Sequence, residues 1–360
     1  MSISFSPKER QYKAHKEAID ALLLESITQT DTKAISTLEK NLSHYLGTKE
    51  MIVCNTQFNA FVLLFMVLEL KAGDEVITSP LSSGIAVQAA LFMGAKVIFV
   101  DVLEKNLTLD IEQVEDAITE RTKLLIPVST FGNCADMSAL NALALQHNLC
   151  VIEDAGESFG SAVHNVKSLH LSKLSTASFH PDMPLSGFGN GAALYIEDDA
   201  LRQKARAFRS QGKEASHYVS LGIEACMDQI QAKIINYRLD SVDAEIIQRK
   251  EHTLTYNKAF SSAGIPTPHF DDQSNFAYYP LRLSSPQTLK NALASKGIES
   301  KIVFEKPLHL HDAFGFMHYQ VDDFPLSERL AQSLLLLPLY AELSTQEVET
   351  ITQEVIQQLQ

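Results

Sequence analysis

The sequence predicts an α/β protein built on a mostly parallel sheet with helices on both faces. Three observations predict it. Short apolar runs at 51–54, 75–78, 96–101, 122–128 and 149–152 alternate with helical segments near 86–93, 111–118 and 137–147. Such alternation requires crossover helices, which cover a parallel sheet on both sides. The run 149–152 stops at the adjacent acids Glu153 and Asp154, as a buried strand with a carboxylate at its C-terminal end would. A second apolar segment ends in Ser178-Phe179-His180-Pro181, and the loop after it carries Gly187, Gly189 and Gly191. Ligands of open α/β sheets bind just beyond the C-terminal strand ends. Asp154 is therefore the first place to look for chemistry.

In chain order, residues 8–26 read as an amphipathic helix and residues 32–45 as a second one, ended by Gly47. The strand at 51–54 leads into an apolar helix that runs to about residue 70 and the turn Gly73-Asp74. No internal repeat or low-complexity tract interrupts the pattern.

Composition narrows the function classes. A chain of 360 residues with 45% apolar content can bury a sizeable core. A net charge of −14 and a pI near 5.3 argue against nucleic acid or an anionic membrane as partner, because either needs a basic face. Cys54, Cys134, Cys150 and Cys226 show neither CxxC nor Cys/His ligand spacing, which fits structural thiols in a reduced, cytoplasmic protein. Neither a signal-peptide pattern nor an apolar run of membrane-spanning length is expected. No GxSxG or GxxxxGK(S/T) motif is present. His309, His311 and His318 raise a metal site as one reading, but no carboxylate or thiol completes a ligand set in sequence, and no metal is expected.

VIEDAGESFGS, then SFHP and, after a short gap, GNGAALYI resemble the centre of the DegT/DnrJ family of sugar-nucleotide aminotransferases, pyridoxal-phosphate (PLP) enzymes of fold type I. GDEVITSP, GAKVIFVDV, ITERTKLLIPVSTFGNCADM, FPLSERLAQSLLLLPLY and LSTQEVETITQEVIQ fall where the family has similar strings, in the same order. ITQTDTKAISTLEKNLSHYLG resembles the segment in which the family's chain crosses toward the active site. The resemblance implies the fold type I PLP-transferase scaffold. Its large domain would span 1–250 and a smaller C-terminal α+β domain 251–360, with a long helix near 227–248. It also implies a homodimer, since the family builds each site from two chains.

The same resemblance assigns the site. Asp154 takes the position of the aspartate that pairs with the pyridine nitrogen and makes the ring an electron sink; Glu157 lies in the same motif. Ser178 keeps a hydroxyl aimed at the phosphate. Where the family reads SFHPTK, with the lysine forming the Schiff base, this chain reads Ser178-Phe179-His180-Pro181-Asp182-Met183. Thr56-Gln57-Phe58 stand at the family's Ser-Gly-Thr phosphate string, Ser83 at its ring-stacking aromatic, and Glu224 and Cys226 at the Asn and Arg sent from the neighbouring subunit. Each departure alone has an ordinary reading: a gap-filling methionine, a small-residue variant, a solvated acid. Together they are expected to converge on one pocket. Lys173, the nearest lysine in sequence, starts the strand leading to Ser178, and that strand spans roughly 20 Å, too far to replace the missing amine.

These features imply a homologue of sugar-nucleotide aminotransferases of polysaccharide and deoxyaminosugar biosynthesis without transaminase activity of its own, a pseudoenzyme that binds a nucleotide sugar or an active paralogue. The alternative is a lysine-independent aminotransferase or dehydratase that takes PLP or pyridoxamine phosphate, with Asp154 as pyridinium partner and His180 as base. For the pocket, the expectation is that Phe58 or Met183 partly occupies the cofactor volume and that Asp154 bonds to a side chain such as His180 or to water.

Overall fold

The computed structural model describes residues 2–28 and 33–360. The start of the helix expected at 32–45, and part of the crossing segment, lie outside the described residues. The chain opens with α1 (Lys8–Ala14), α2 (Lys16–Thr28) and α3 (Ala34–Leu46). The single helix expected at 8–26 is divided at His15, whose ring packs edge-on against Tyr237 and whose Nδ1 lies 3.1 Å from the Tyr237 hydroxyl.

The sheet then builds from β1 (Met51–Cys54), α4 (Gln57–Val67), β2 (Glu75–Thr78), α5 (Ile85–Phe92), β3 (Lys96–Phe99), α6 (Ile111–Ala117), β4 (Thr122–Ile126), α7 (Met137–Gln146) and β5 (Cys150–Asp154). After the two-residue strands β6 (Ala162–Val163) and β7 (Val166–Lys167) come β8 (Leu174–Ser178), β9 (Ala192–Ile196) and α8 (Asp199–Arg209). The seven strands lie in the order β1-β9-β8-β5-β4-β2-β3. The run from β3 to β8 is parallel, and β9 is antiparallel to both neighbours.

Alternate residues of each strand face opposite sides. Val76, Leu124, Ile126 and Ile152 pack with α4 and α5, whereas Ile77, Leu125 and Val151 pack with α7. Met51, Val53, Ala177 and Ala193 meet α3 on that second side.

A short hairpin, β10 (Lys213–Glu214) and β11 (His217–Tyr218), precedes α9 (Gln229–Leu239) and α10 (Val242–Ser262). The expected helix 227–248 is thus two helices. Ser241 Oγ accepts from no backbone group here but donates to the Arg238 carbonyl at 2.9 Å and to Glu245 Oε1 at 2.9 Å. A hydroxyl competing for a backbone acceptor favours this kind of break. The second helix continues well beyond residue 248 because Arg249, His252, Tyr256 and Phe260 keep a buried face at helical spacing.

The C-terminal part holds β12 (Tyr279–Arg282) paired antiparallel with β13 (Leu334–Leu337), flanked by α11 (Pro286–Ser295), α12 (Pro325–Ser333) and α13 (Thr345–Leu359). Its core takes Tyr256 and Phe260 from α10 and Ile3 from the N-terminal segment. Ile3 forms a parallel bridge with Ile298, and Arg10 holds Glu347 of α13 with two bonds of 2.8 and 2.5 Å. Among the described residues no helix is long and apolar enough to cross a membrane.

Candidate ligand-binding site

The C-terminal ends of β1, β5 and β8 deliver Thr56, Asp154 and Ser178 to one place. A cleft of about 360 Å³ is lined by Thr56, Gln57, Phe58, Ser83, Glu157, Ser178, His180 and Met183. A smaller cavity of about 50 Å³ beside it is lined by Asp154, Glu157, Gln57, Ser83 and Met183. Every site residue named from the sequence except Glu224 and Cys226 therefore borders one of these two spaces. Glu224 accepts from Gln211 at 3.2 Å, and Cys226 lies against Ser210.

Local chemistry explains the positions. Thr56 caps α4, its Oγ1 accepting from the Asn59 N–H at 3.1 Å. The segment after β8 folds into a turn closed by the Met183 N–H donating to the His180 carbonyl at 2.8 Å. The Ser178 Oγ accepts from the His180 N–H at 3.2 Å. His180 is exposed, and its Nδ1 accepts from the Asp182 N–H at 3.3 Å.

Asp154 bonds to a side chain, as expected, but that side chain is Gln57 and not His180. Gln57 Nε2 donates to Asp154 Oδ1 at 2.7 Å, and the Gly156 N–H donates to the same oxygen at 3.2 Å. Gln57 opens α4, so its side chain is free to run back along the strand ends. Gly156 admits it, since a Cβ there would lie 3.3 Å from both Gln57 Nε2 and Asp154 Oδ1. Phe58 turns its ring edge-on to Phe92 at 5.9 Å, and with Met183 it walls the cleft. The side chain that crosses to Asp154 is Gln57.

Burial pushes the Asp154 carboxyl up to about 6, against the pull of the Gly156 and Gln57 bonds. Burial likewise raises Glu157 to about 7, although it accepts from the Phe131 N–H at 2.7 Å. Glu153 faces the other way, accepts from Ser168 at 2.8 Å and Leu169 at 3.1 Å, and is raised by burial to about 7. Its role is to hold the loop 168–171.

Sequence reasoning missed Lys301. It reaches the cleft from the C-terminal part, fixed by a bridge to Leu336, and its Nζ lies 3.6 Å from Asp182 Oδ2. Lys8 approaches the other oxygen at 3.3 Å. Burial alone would raise Asp182, but the two lysines hold it below the ordinary range. Lys173 is solvent-exposed and paired with Glu197 at 3.6 Å, away from the cleft. His309 meets Glu328 at 3.1 Å and His311 the Lys306 carbonyl at 3.1 Å; among the described residues no group of three acids, histidines or cysteines is placed to hold a metal.

The mostly parallel sheet with its cleft at the strand ends is the scaffold of the fold type I PLP transferases. The S. venezuelae protein DesV, solved in complex with a ketimine intermediate, superposes with a TM-score of 0.95 at 25% identity, covering 99% of this chain and 98% of that one. The DegT/DnrJ/EryC1/StrS aminotransferase family matches residues 10–356, and the chain belongs to it. The UDP-2-acetamido-2-deoxy-3-oxo-D-glucuronate aminotransferase of Pseudomonas aeruginosa is 30% identical over 88% of each chain. GDP-perosamine synthase of Caulobacter vibrioides is also 30% identical, over 87% of this chain and 86% of its own. Aminotransferases of this family and fold work with pyridoxal or pyridoxamine phosphate.

A pyridoxal group held in that manner has its phosphate at the helix N-terminus and its ring nitrogen at the buried aspartate. Gln57 runs from the first turn of α4 to Asp154 and so spans the gap such a ring would fill. Met183 offers no amine. The side chains as they stand do not fit the group.

Proposed function

We propose that this family member binds a nucleotide sugar without transaminating it. The observation that carries the reading is the Gln57–Asp154 bond of 2.7 Å beside Met183, the residue that the sequence resemblance sets at the position of the family's lysine. Catalysis of transamination needs an amine that moves a proton at the reacting carbon, and a thioether cannot. The cleft of about 360 Å³ retains Thr56, Ser178 and the α4 N-terminus, groups suited to an anionic ligand such as a nucleoside diphosphate. The four thiols, all free, fit a reducing compartment such as the cytoplasm. The working unit is a homodimer, alone or with an active paralogue.

A second reading is kept by the open cleft itself: with Thr56, Ser178 and exposed His180 on its wall, free pyridoxamine phosphate could enter if Gln57 swung aside. Spectroscopy separates the two. Purified protein mixed with PLP should develop no visible imine band and, after borohydride, no labelled lysine. Met183→Lys should show no measurable transamination, because Gln57 still crosses the pocket. A reducible band on a lysine, or activity in that single variant, would return the chain to the active aminotransferases.

A further inference from the structure

Asp182 and Met183 also border a third space, a cavity of about 50 Å³ between Ser6 and Gln11 of the N-terminal segment and Arg249 of α10. Arg249 is 5% exposed, and its five N–H donors are poorly served. Nε donates to the Asn275 carbonyl at 3.0 Å. Nη1 lies 3.6 Å from Glu245 Oε2, beyond hydrogen-bond range, because Arg238 Nη2 holds both oxygens of that carboxylate at 3.1 and 3.2 Å. Nη2 is buried and has no partner. The Ser6 Oγ is likewise buried and unpartnered. Gln11 gives its amide oxygen to Arg238 at 3.3 Å, which leaves the NH2 group as a further donor at the cavity wall. The remaining polar groups of the wall are engaged. Tyr278 and Tyr340 donate their hydroxyls to the carbonyls of Asp182 and Ser4 at 2.6 and 3.1 Å. The Asp182 carboxylate has Lys8 at 3.3 Å on one oxygen and Lys301 at 3.6 Å on the other.

We propose that this cavity binds a small monovalent anion, which bridges Arg249 of α10 to Ser6 and Gln11 of the N-terminal segment. A guanidinium does not give up its proton, and a buried charge without a counter-charge is costly. Water would satisfy the N–H groups and leave the charge unmet; an anion meets both. The end of the guanidinium fork, Nη1 with Nη2, suits a planar oxyanion such as formate or nitrate best. Bound there, the ion ties residues 5–11 to α10 and closes one side of the Met183 turn. It is a counter-ion of the fold, separate from any ligand of the 360 Å³ cleft, with which the cavity shares only Asp182, Met183 and Tyr278.

The test is thermal melting of the full chain at neutral pH, with sodium formate replacing sodium gluconate at constant ionic strength. The melting temperature should rise saturably, by about 2 °C at tenfold excess over half-saturation. Ser6→Ala should raise the half-saturating concentration about tenfold, the scale of one charge-assisted bond, and Arg249→Met should abolish the response. If Arg249→Met does not fold, Ser6→Ala decides together with crystals grown in sodium bromide, which should carry an anomalous peak beside Arg249 and Ser6. Absence of a saturable rise, or one that Ser6→Ala and Arg249→Met leave unchanged, overturns the site. A bromide peak without the response in solution marks an adventitious ion only and overturns it as well.

Discussion

Asp154, Glu153 and Glu157 are three carboxyl groups that burial raises, to about 6, 7 and 7. A native state that holds protons more tightly than the unfolded chain gains stability as pH falls. The gain runs from those raised values down to the unfolded values near 4, at about 1.4 kcal/mol per unit and per group. Asp154→Asn removes one of these penalties and keeps the Oδ1 acceptor for Gln57 and Gly156. In scanning calorimetry the variant should melt above the native protein at about pH 8 and converge with it only below about pH 4; a lower melting temperature at the alkaline end contradicts the argument. Asp154 was legible in the sequence because an apolar run ends on it. Its partner was not: Gln57 lies 97 residues away, and nothing local to either residue encodes their meeting. Lys301 was hidden for the same reason, since its place in the cleft depends on the bridge to Leu336.

Helices and strands with strong patterns were readable in place: α4, α7 and all of β1, β2 and β5 fall where the apolar periodicity put them. The failures are at junctions, where a single side chain decides. Ser241 breaks the helix expected at 227–248, and His15 the one at 8–26. The helix α10 that follows Ser241 places Val242 and Ile246 against the Gly160 loop and carries Tyr256 and Phe260 into the C-terminal core. Its second turn allows an element-scale test. Ile247 is exposed, so Ile247→Ala should change stability little, whereas Ile247→Pro removes a helical bond and clashes with the preceding turn at a cost of about 3 kcal/mol. Denaturant midpoints that move equally in the two variants would show that α10 is not the tie between these cores.

At the scale of the whole molecule, the acidic surface carries exposed apolar side chains in a few places: Leu221 is 89% exposed, and Phe92 and Tyr218 are similarly bare. Leu221 and Tyr218 belong to the segment just before Glu224 and Cys226, the positions that the family resemblance directs across a subunit boundary. A homodimer covering them should sediment at twice 39.9 kDa, and Leu221→Asp should shift it toward the monomer. A native protein that sediments as a monomer at micromolar concentration excludes the arrangement. The N-terminal segment sets a different requirement, one of order in time. Ser4 bonds to Glu299, 295 residues further along, and Ile3 is buried only against that distant part of the chain. On a ribosome adding 5–20 residues per second, these first residues wait roughly fifteen seconds to a minute before their partners exist. Until then Ile3 stays in water or in the keeping of a chaperone, and closure of the fold is among the last events of its synthesis.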